Sequence, residues 1–220
     1  ATGAGAVMVN QVAANATTQV LIRGCAINLT GDGNTAAVAD GIQIAGTGSA
    51  DITISDNVIT NTNRNGILLF NTTGRAIISH NQVRSSGLSN VADGGNGIFA
   101  SGIVGDLEIS NNLVDTVSAN SDNGIEVSGS SATANVTITG NRVTGVANST
   151  RAGVGSLTGV RYILSNNILV SNAGDGAQLN IDTLNAAANR PRSLVISNNV
   201  FEGNSQKGLD LRPRGECTIT

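Results

Sequence analysis

The only imidazole in the chain belongs to His80, and its setting recurs. His80 precedes Asn81 as Asp56 precedes Asn57 and Asn111 precedes Asn112. If these segments stack, an acid, an imidazole and an amide form one row with Arg84 close by, a set suited to moving a proton. The same position holds Gly24, Gly140, Asn166 and Asn198 elsewhere in the chain, as a solvent-facing turn would. The turn reading needs fewer assumptions. No catalytic set is therefore assigned, and Asp56, His80 and Arg84 stand only as candidates.

Acidic turns offer a second chemistry. Gly31-Asp32-Gly33-Asn34 and Ala92-Asp93-Gly94-Gly95 are of the kind that would take Ca²⁺, but neither supplies the ligand number that this ion needs. No metal site is assigned on the sequence. Both turns fall in long connections, Ile27 to Ile42 and Val83 to Ile98, and loops on a rigid scaffold are where binding resides. Asp32 and Asp93, with Leu68 and Phe99, are therefore the expected binding surface.

Composition narrows the partners. Charged residues are 12% of the chain, aromatics 2%, and the net charge is −3. No basic patch is present to attract phosphates, which argues against nucleic acid. No apolar run approaches the roughly 20 residues of a membrane-spanning helix, so membrane insertion is not expected. Few exposed aromatics argue against a long polysaccharide groove, while carbohydrate stays among the candidate partners.

Two motifs must position all of these residues. The first reads apolar-x-apolar-Ser/Thr-x-Asn-x-apolar, as in Ile52 to Ile59 and Ala76 to Val83, with further copies ending at Val114, Val143, Leu169 and Phe201. A variant from Val20 to Ile27 has Cys25 in place of Asn. The second is Gly-apolar-x-apolar, beginning at Gly41, Gly66, Gly97, Gly124, Gly176 and Gly208, with a weaker copy at Gly153. The motifs alternate strictly, and the step from Cys25 through to Asn199 averages 29 residues, varying from 24 to 32. A two-residue period inside each motif means strands, and short strands recurring at this interval mean a coil whose turns pair in parallel about 4.8 Å apart.

This pattern strongly resembles the pectate-lyase-like right-handed parallel β-helix superfamily, over essentially the whole chain. The resemblance implies an all-β, single-stranded right-handed parallel β-helix with about seven full rungs and partial rungs at both ends, forming one domain across 1–220. It implies little about function, because one such fold hosts many. Lyases of the superfamily use Ca²⁺ held by acids, with Arg or Lys as base. Here the outward column of the Gly-led face reads Met8, Gln43, Leu68, Phe99, Glu126, Gly155, Gln178, Asp210, with its two acids three rungs apart. No catalytic motif of the superfamily can be placed on it.

The rung layout predicts core columns Ile42/Ile67/Ile98/Ile125/Val154, Ile54/Ile78/Ile109/Ile138/Leu164/Ile196 and Ile59/Val83/Val114/Val143/Leu169/Phe201. Asn57, Asn81, Asn112, Asn141, Asn167 and Asn199 form a corner ladder, on the expectation that Asn tolerates the left-handed backbone. The hydroxyl row Ser55, Ser79, Ser110, Thr139, Ser165, Ser197 follows from the same corner. Cys25 and Cys217 lie seven steps apart, about 34 Å, too far to bridge within a chain. Cys25 is expected as a buried thiol and Cys217 as an unpaired core residue. Open half-rungs suggest a continuing stack, either a longer β-helix or subunits stacked end to end.

The functional expectation is an extracellular structural or adhesive shaft, secreted or at the cell surface, with filament assembly through copies of itself or neighbouring segments. The alternative is the scaffold portion of a polysaccharide lyase or epimerase acting on uronate polymers.

Overall fold

A computed structural model of the chain describes residues 4–10, 18–29, 39–88, 95–118, 122–129, 134–156, 161–180, 193–212 and 216–220. Every regular element among them is a strand. The first face carries β1 (Ala4–Asn10), β4 (Ala39–Gly48), β7 (Ile67–Thr72), β10 (Ile98–Ser101), β13 (Ile125–Ser128), β16 (Ala152–Ser156), β19 (Asp175–Asn180) and β22 (Leu209–Arg212). The second carries β2 (Gln19–Arg23), β5 (Asp51–Ser55), β8 (Ala76–Ser79), β11 (Leu107–Ser110), β14 (Asn135–Thr139), β17 (Arg161–Ser165), β20 (Ser193–Ser197) and β23 (Glu216–Ile219). The third carries β3 (Ala26–Asn28), β6 (Val58–Thr60), β9 (Gln82–Ser86), β12 (Leu113–Val117), β15 (Arg142–Val146), β18 (Ile168–Val170) and β21 (Val200–Glu202). Each face is one parallel sheet in which every strand pairs with its equivalent in the neighbouring turns. The chain is a parallel β-solenoid.

Register follows the repeat. Ile42 pairs with Ile67, Ile67 with Ile98, Ile98 with Ile125 and Ile125 with Val154, and all five are buried. The Ile54 column is buried to Ile196, and the Ile59 column to Leu169. Phe201 is only half-buried. Turns beginning at β4, β7, β10, β13 and β16 hold their apolar columns buried on all three faces. This sealed stack of about five turns is shorter than the expected count of about seven. The reason is geometric: the outer turns have a neighbour on one side only, leaving Val7, Val9, Val20, Leu209 and Leu211 half-buried.

The glycine ahead of the first-face core residue is a steric requirement in the turns of Gly41, Gly66, Gly97, Gly124 and Gly176. A Cβ on Gly66 would lie 2.2 Å from Val83 Cγ1 and 2.6 Å from the Gly97 carbonyl oxygen, and Gly97 meets Val114 and Gly124 in the same way. Returning chain and third-face core touch there, and even a methyl group does not fit.

The Asn corner is built differently from the expectation. The left-handed residue is the one before the Asn: Asp56, His80, Asn111, Asn166 and Asn198 have φ between 55° and 57°, and Gly24 and Gly140 have 68° and 66°. This frees the Asn side chain to turn inward. Asn57 Nδ2 donates to Asn81 Oδ1 (2.8 Å) and to the Ile22 carbonyl (3.2 Å), while its backbone N–H donates to the same Oδ1 (3.1 Å). Equivalent bonds run through Asn81, Asn112, Asn141 and Asn167 to Asn199. Cys25 joins through its backbone N–H, which donates to Asn57 Oδ1 (2.9 Å).

Both cysteines are free thiols, Cys25 half-buried and Cys217 exposed. The expected core position of Cys217 needs correction. It pairs in register with buried Leu194, but β23 is the last strand of its sheet and nothing in the described residues covers its far side.

Candidate functional site

A second polar ladder lies at the corner leading into the first face. Its members are the residues that precede the opening glycines: Asp40, Asn65, Asn96 and Asn123. The backbone N–H groups of Asn65, Asn96, Asn123 and Ala152 donate in turn to Asp40, Asn65, Asn96 and Asn123, at 2.7–3.0 Å. Asn65 Nδ2 reaches back to Asp40 (2.9 Å) and Asn96 Nδ2 to Asn65 (3.5 Å). The sequence carried this signal as Asp-Gly and Asn-Gly pairs at the start of five of the seven Gly-led motifs, which look like ordinary turn dipeptides.

Two charges anchor the ladder. Asp40 is fully buried and accepts from Arg64 through both carboxylate oxygens, Nε to Oδ1 (2.9 Å) and Nη2 to Oδ2. This bidentate bond holds the Arg64 guanidinium above its already high ordinary pKa, against the opposing effect of burial.

Asn123 departs from the pattern. Its Nδ2 turns outward and donates to Glu126 Oε2 (2.9 Å). Gly155 makes room, because a Cβ there would stand 2.4 Å from that nitrogen. Glu126 is only 6% exposed although its strand position faces outward. Burial pushes its carboxyl above the ordinary range; the Asn123 bond opposes this, nearby Asp122 adds to it, and Arg151 opposes it. Arg151 itself pairs with Asp122, Nη2 to Oδ1 at 2.7 Å.

Between these charged ends lies a groove of about 440 Å³ lined by Arg64, Asn65, Leu68, Phe70, Gly95, Asn96, Phe99 and Asp122. Parallel pairing sets Leu68, Phe99 and Glu126 in one outward column on successive turns. Phe70 follows Leu68 by two residues on the same face, with its ring well exposed. Leu68 is 8% exposed and forms floor rather than surface.

The expected binding surface thus divides. Leu68 and Phe99 meet in the groove, while Asp32 and Asp93 lie outside the described residues. Asp56 and His80 occupy exposed left-handed turn positions, and Asp56 pairs with Arg23 (Nε to Oδ2, 2.9 Å). Arg84 is exposed on the third face, beside Thr60 and Asp115 in register. None of these three lines the groove. Among the described residues, no three His, Cys, Asp or Glu side chains converge to hold a metal ion. Arg64, Asp40, Asn123, Glu126, Asp122 and Arg151 were not singled out as a site by the sequence; a buried outward acid is visible only once its neighbours are placed.

No family model, curated protein or solved structure matches the chain.

Proposed function

We propose that the chain is an extracellular structural and adhesive shaft, secreted or held at a cell surface, whose solenoid presents a recognition groove on its side. The observation that carries the reading is the buried ladder from Asn57 to Asn199, which locks successive turns together through side-chain and backbone bonds. A scaffold so cross-linked supports a stiff rod, and the groove gives it a place to attach.

The rival reading is part of a lyase or epimerase acting on uronate polymers. One observation favours it: Glu126, with its raised carboxyl pKa, stands near Asp122. Against it, such chemistry needs a basic group free to take a proton. Arg64 is committed to Asp40 and Arg151 to Asp122. Incubating the protein with uronate polymers, with and without Ca²⁺, separates the two readings. The shaft reading expects binding at most and no chain cleavage or epimerisation; turnover abolished by Glu126→Gln would refute it. Electron microscopy of the native material is expected to show rods or filaments.

A further inference from the structure

We infer that the groove between Arg64 and Asp122 takes an uncharged saccharide, its C–H face laid against Phe99 and Phe70. The inference rests on the adhesive reading and specifies its ligand.

The floor comes first. Leu68, Phe70 and Phe99 provide apolar and aromatic surface in a chain with only four aromatic residues, Phe70, Phe99, Tyr162 and Phe201. Tyr162 is buried in the core and Phe201 lies on the third face, so the two remaining rings are both in this groove. A sugar ring presents polarised C–H groups on one face and hydroxyls at its edge. The C–H face meets the negative face of an aromatic ring, and the hydroxyls need donors and acceptors around the rim. Arg64 and Asp122, each partly exposed, supply that rim, above the buried ladder members Asn65 and Asn96. A volume of about 440 Å³ lies within the range of small-ligand pockets.

Charge then selects the class. The groove has a cation at one end and an anion at the other, but each is already neutralised within the protein: Arg64 by Asp40, and Asp122 by Arg151. Among the described residues lining the groove, a uronate carboxylate would find no unpaired cation. It would also stand one turn from the carboxyl of Glu126, which follows Phe99 in the column. Phosphorylated or sulfated sugars meet the same objection. Hydroxyls carry no such penalty and can bond to ion-paired groups without displacing the pair.

The test titrates the folded chain, by isothermal calorimetry and ligand-observed NMR, with neutral gluco-, galacto-, manno- and N-acetylglucosamine oligosaccharides and with oligogalacturonate. The same titrations are run on Phe99→Ala and Phe70→Ser. The exposure of Phe70 keeps the second variant folded even if the first is not. At least one neutral oligosaccharide is expected to bind at about millimolar Kd or tighter, its ring C–H signals moving upfield. Phe70→Ser is expected to weaken it at least fivefold. No binding by any neutral probe, or binding indifferent to both substitutions, overturns the inference. Preferential, uncleaved binding of oligogalacturonate also overturns it while leaving the adhesive reading intact. Cleavage of any probe would instead remove the adhesive reading.

Discussion

The side-chain amide of Asn123 donates to Glu126 at 2.9 Å, whereas the equivalent amides of Asn65 and Asn96 donate to the turn before them. One redirected hydrogen bond, made possible by the missing side chain at Gly155, converts a structural corner into an acid held against the edge of a groove.

That arrangement carries a pH signature. The Glu126 carboxyl pKa is raised on folding, so the folded state binds this proton more tightly than the unfolded state. Its contribution to stability is present below the ordinary carboxylate pKa. It is lost as pH rises from there through the raised value. Wild-type protein is expected to lose stability across that window relative to Glu126→Gln, whose curve lacks this component. Urea denaturation of both proteins at several pH values checks it; parallel curves would contradict the burial argument.

The corner ladder is expected to be costly to interrupt. Asn112 accepts from the backbone and side chain of Asn81 (2.9 and 3.0 Å) and donates to the Ile78 carbonyl and to Asn141 (2.9 and 3.0 Å). Asn112→Ala strands the Asn81 backbone N–H in a buried corner, while the Asn81 side chain keeps the Ile54 and Ser79 carbonyls, and chemical denaturation should register a loss of about 1–3 kcal/mol. Cys25→Asn restores a missing member and is expected to stabilise by about 1 kcal/mol.

Removing the partner of a buried carboxylate should hurt as much. Arg64→Met leaves Asp40, fully buried, with only the two Asn65 donors on one of its oxygens. A destabilisation of about 3 kcal/mol is expected, at the lower end for a broken buried pair because those donors persist. Asp40→Asn in the same background should recover much of it. Thermal unfolding of the three variants tests this.

His80 is expected to be replaceable. Its φ of 57° and exposed side chain place it where neighbouring turns carry Asp, Asn or Gly. His80→Asn should change stability by no more than about 0.5 kcal/mol and leave saccharide binding unaltered. A large effect on either would revive the proton-transfer row of Asp56, His80 and Arg84.

The fold was legible because its two motifs report different constraints. The alternation in Ile52-Thr53-Ile54 shows which side chains face inward, and the recurring glycine at Gly41, Gly66, Gly97 and Gly124 marks the contact that excludes a Cβ. The corner itself was misplaced by one residue. Asn in sequence suggests a left-handed backbone, yet the Asn is buried and the strain falls on its neighbour. The groove was half legible: Leu68 and Phe99 followed from the outward column, but Arg64 and Asp122 come from the connections between strands. Their pairing with Asp40 and Arg151 is set by how those connections return to the stack.

The two ladders point opposite ways. Amide oxygens of the Asn57–Asn199 row accept from the preceding turn, and those of Asn65, Asn96 and Asn123 accept from the following one. An α-helix accumulates a macrodipole because its peptide units all align. Here the oxygens of Asn65, Asn96 and Asn123 offset only part of the Asn57–Asn199 row, with which Asn172 and Asn204 align, and parallel sheets add little of their own. Adding turns to such a stack therefore accumulates less axial field than adding turns to an α-helix, because one edge works against the others.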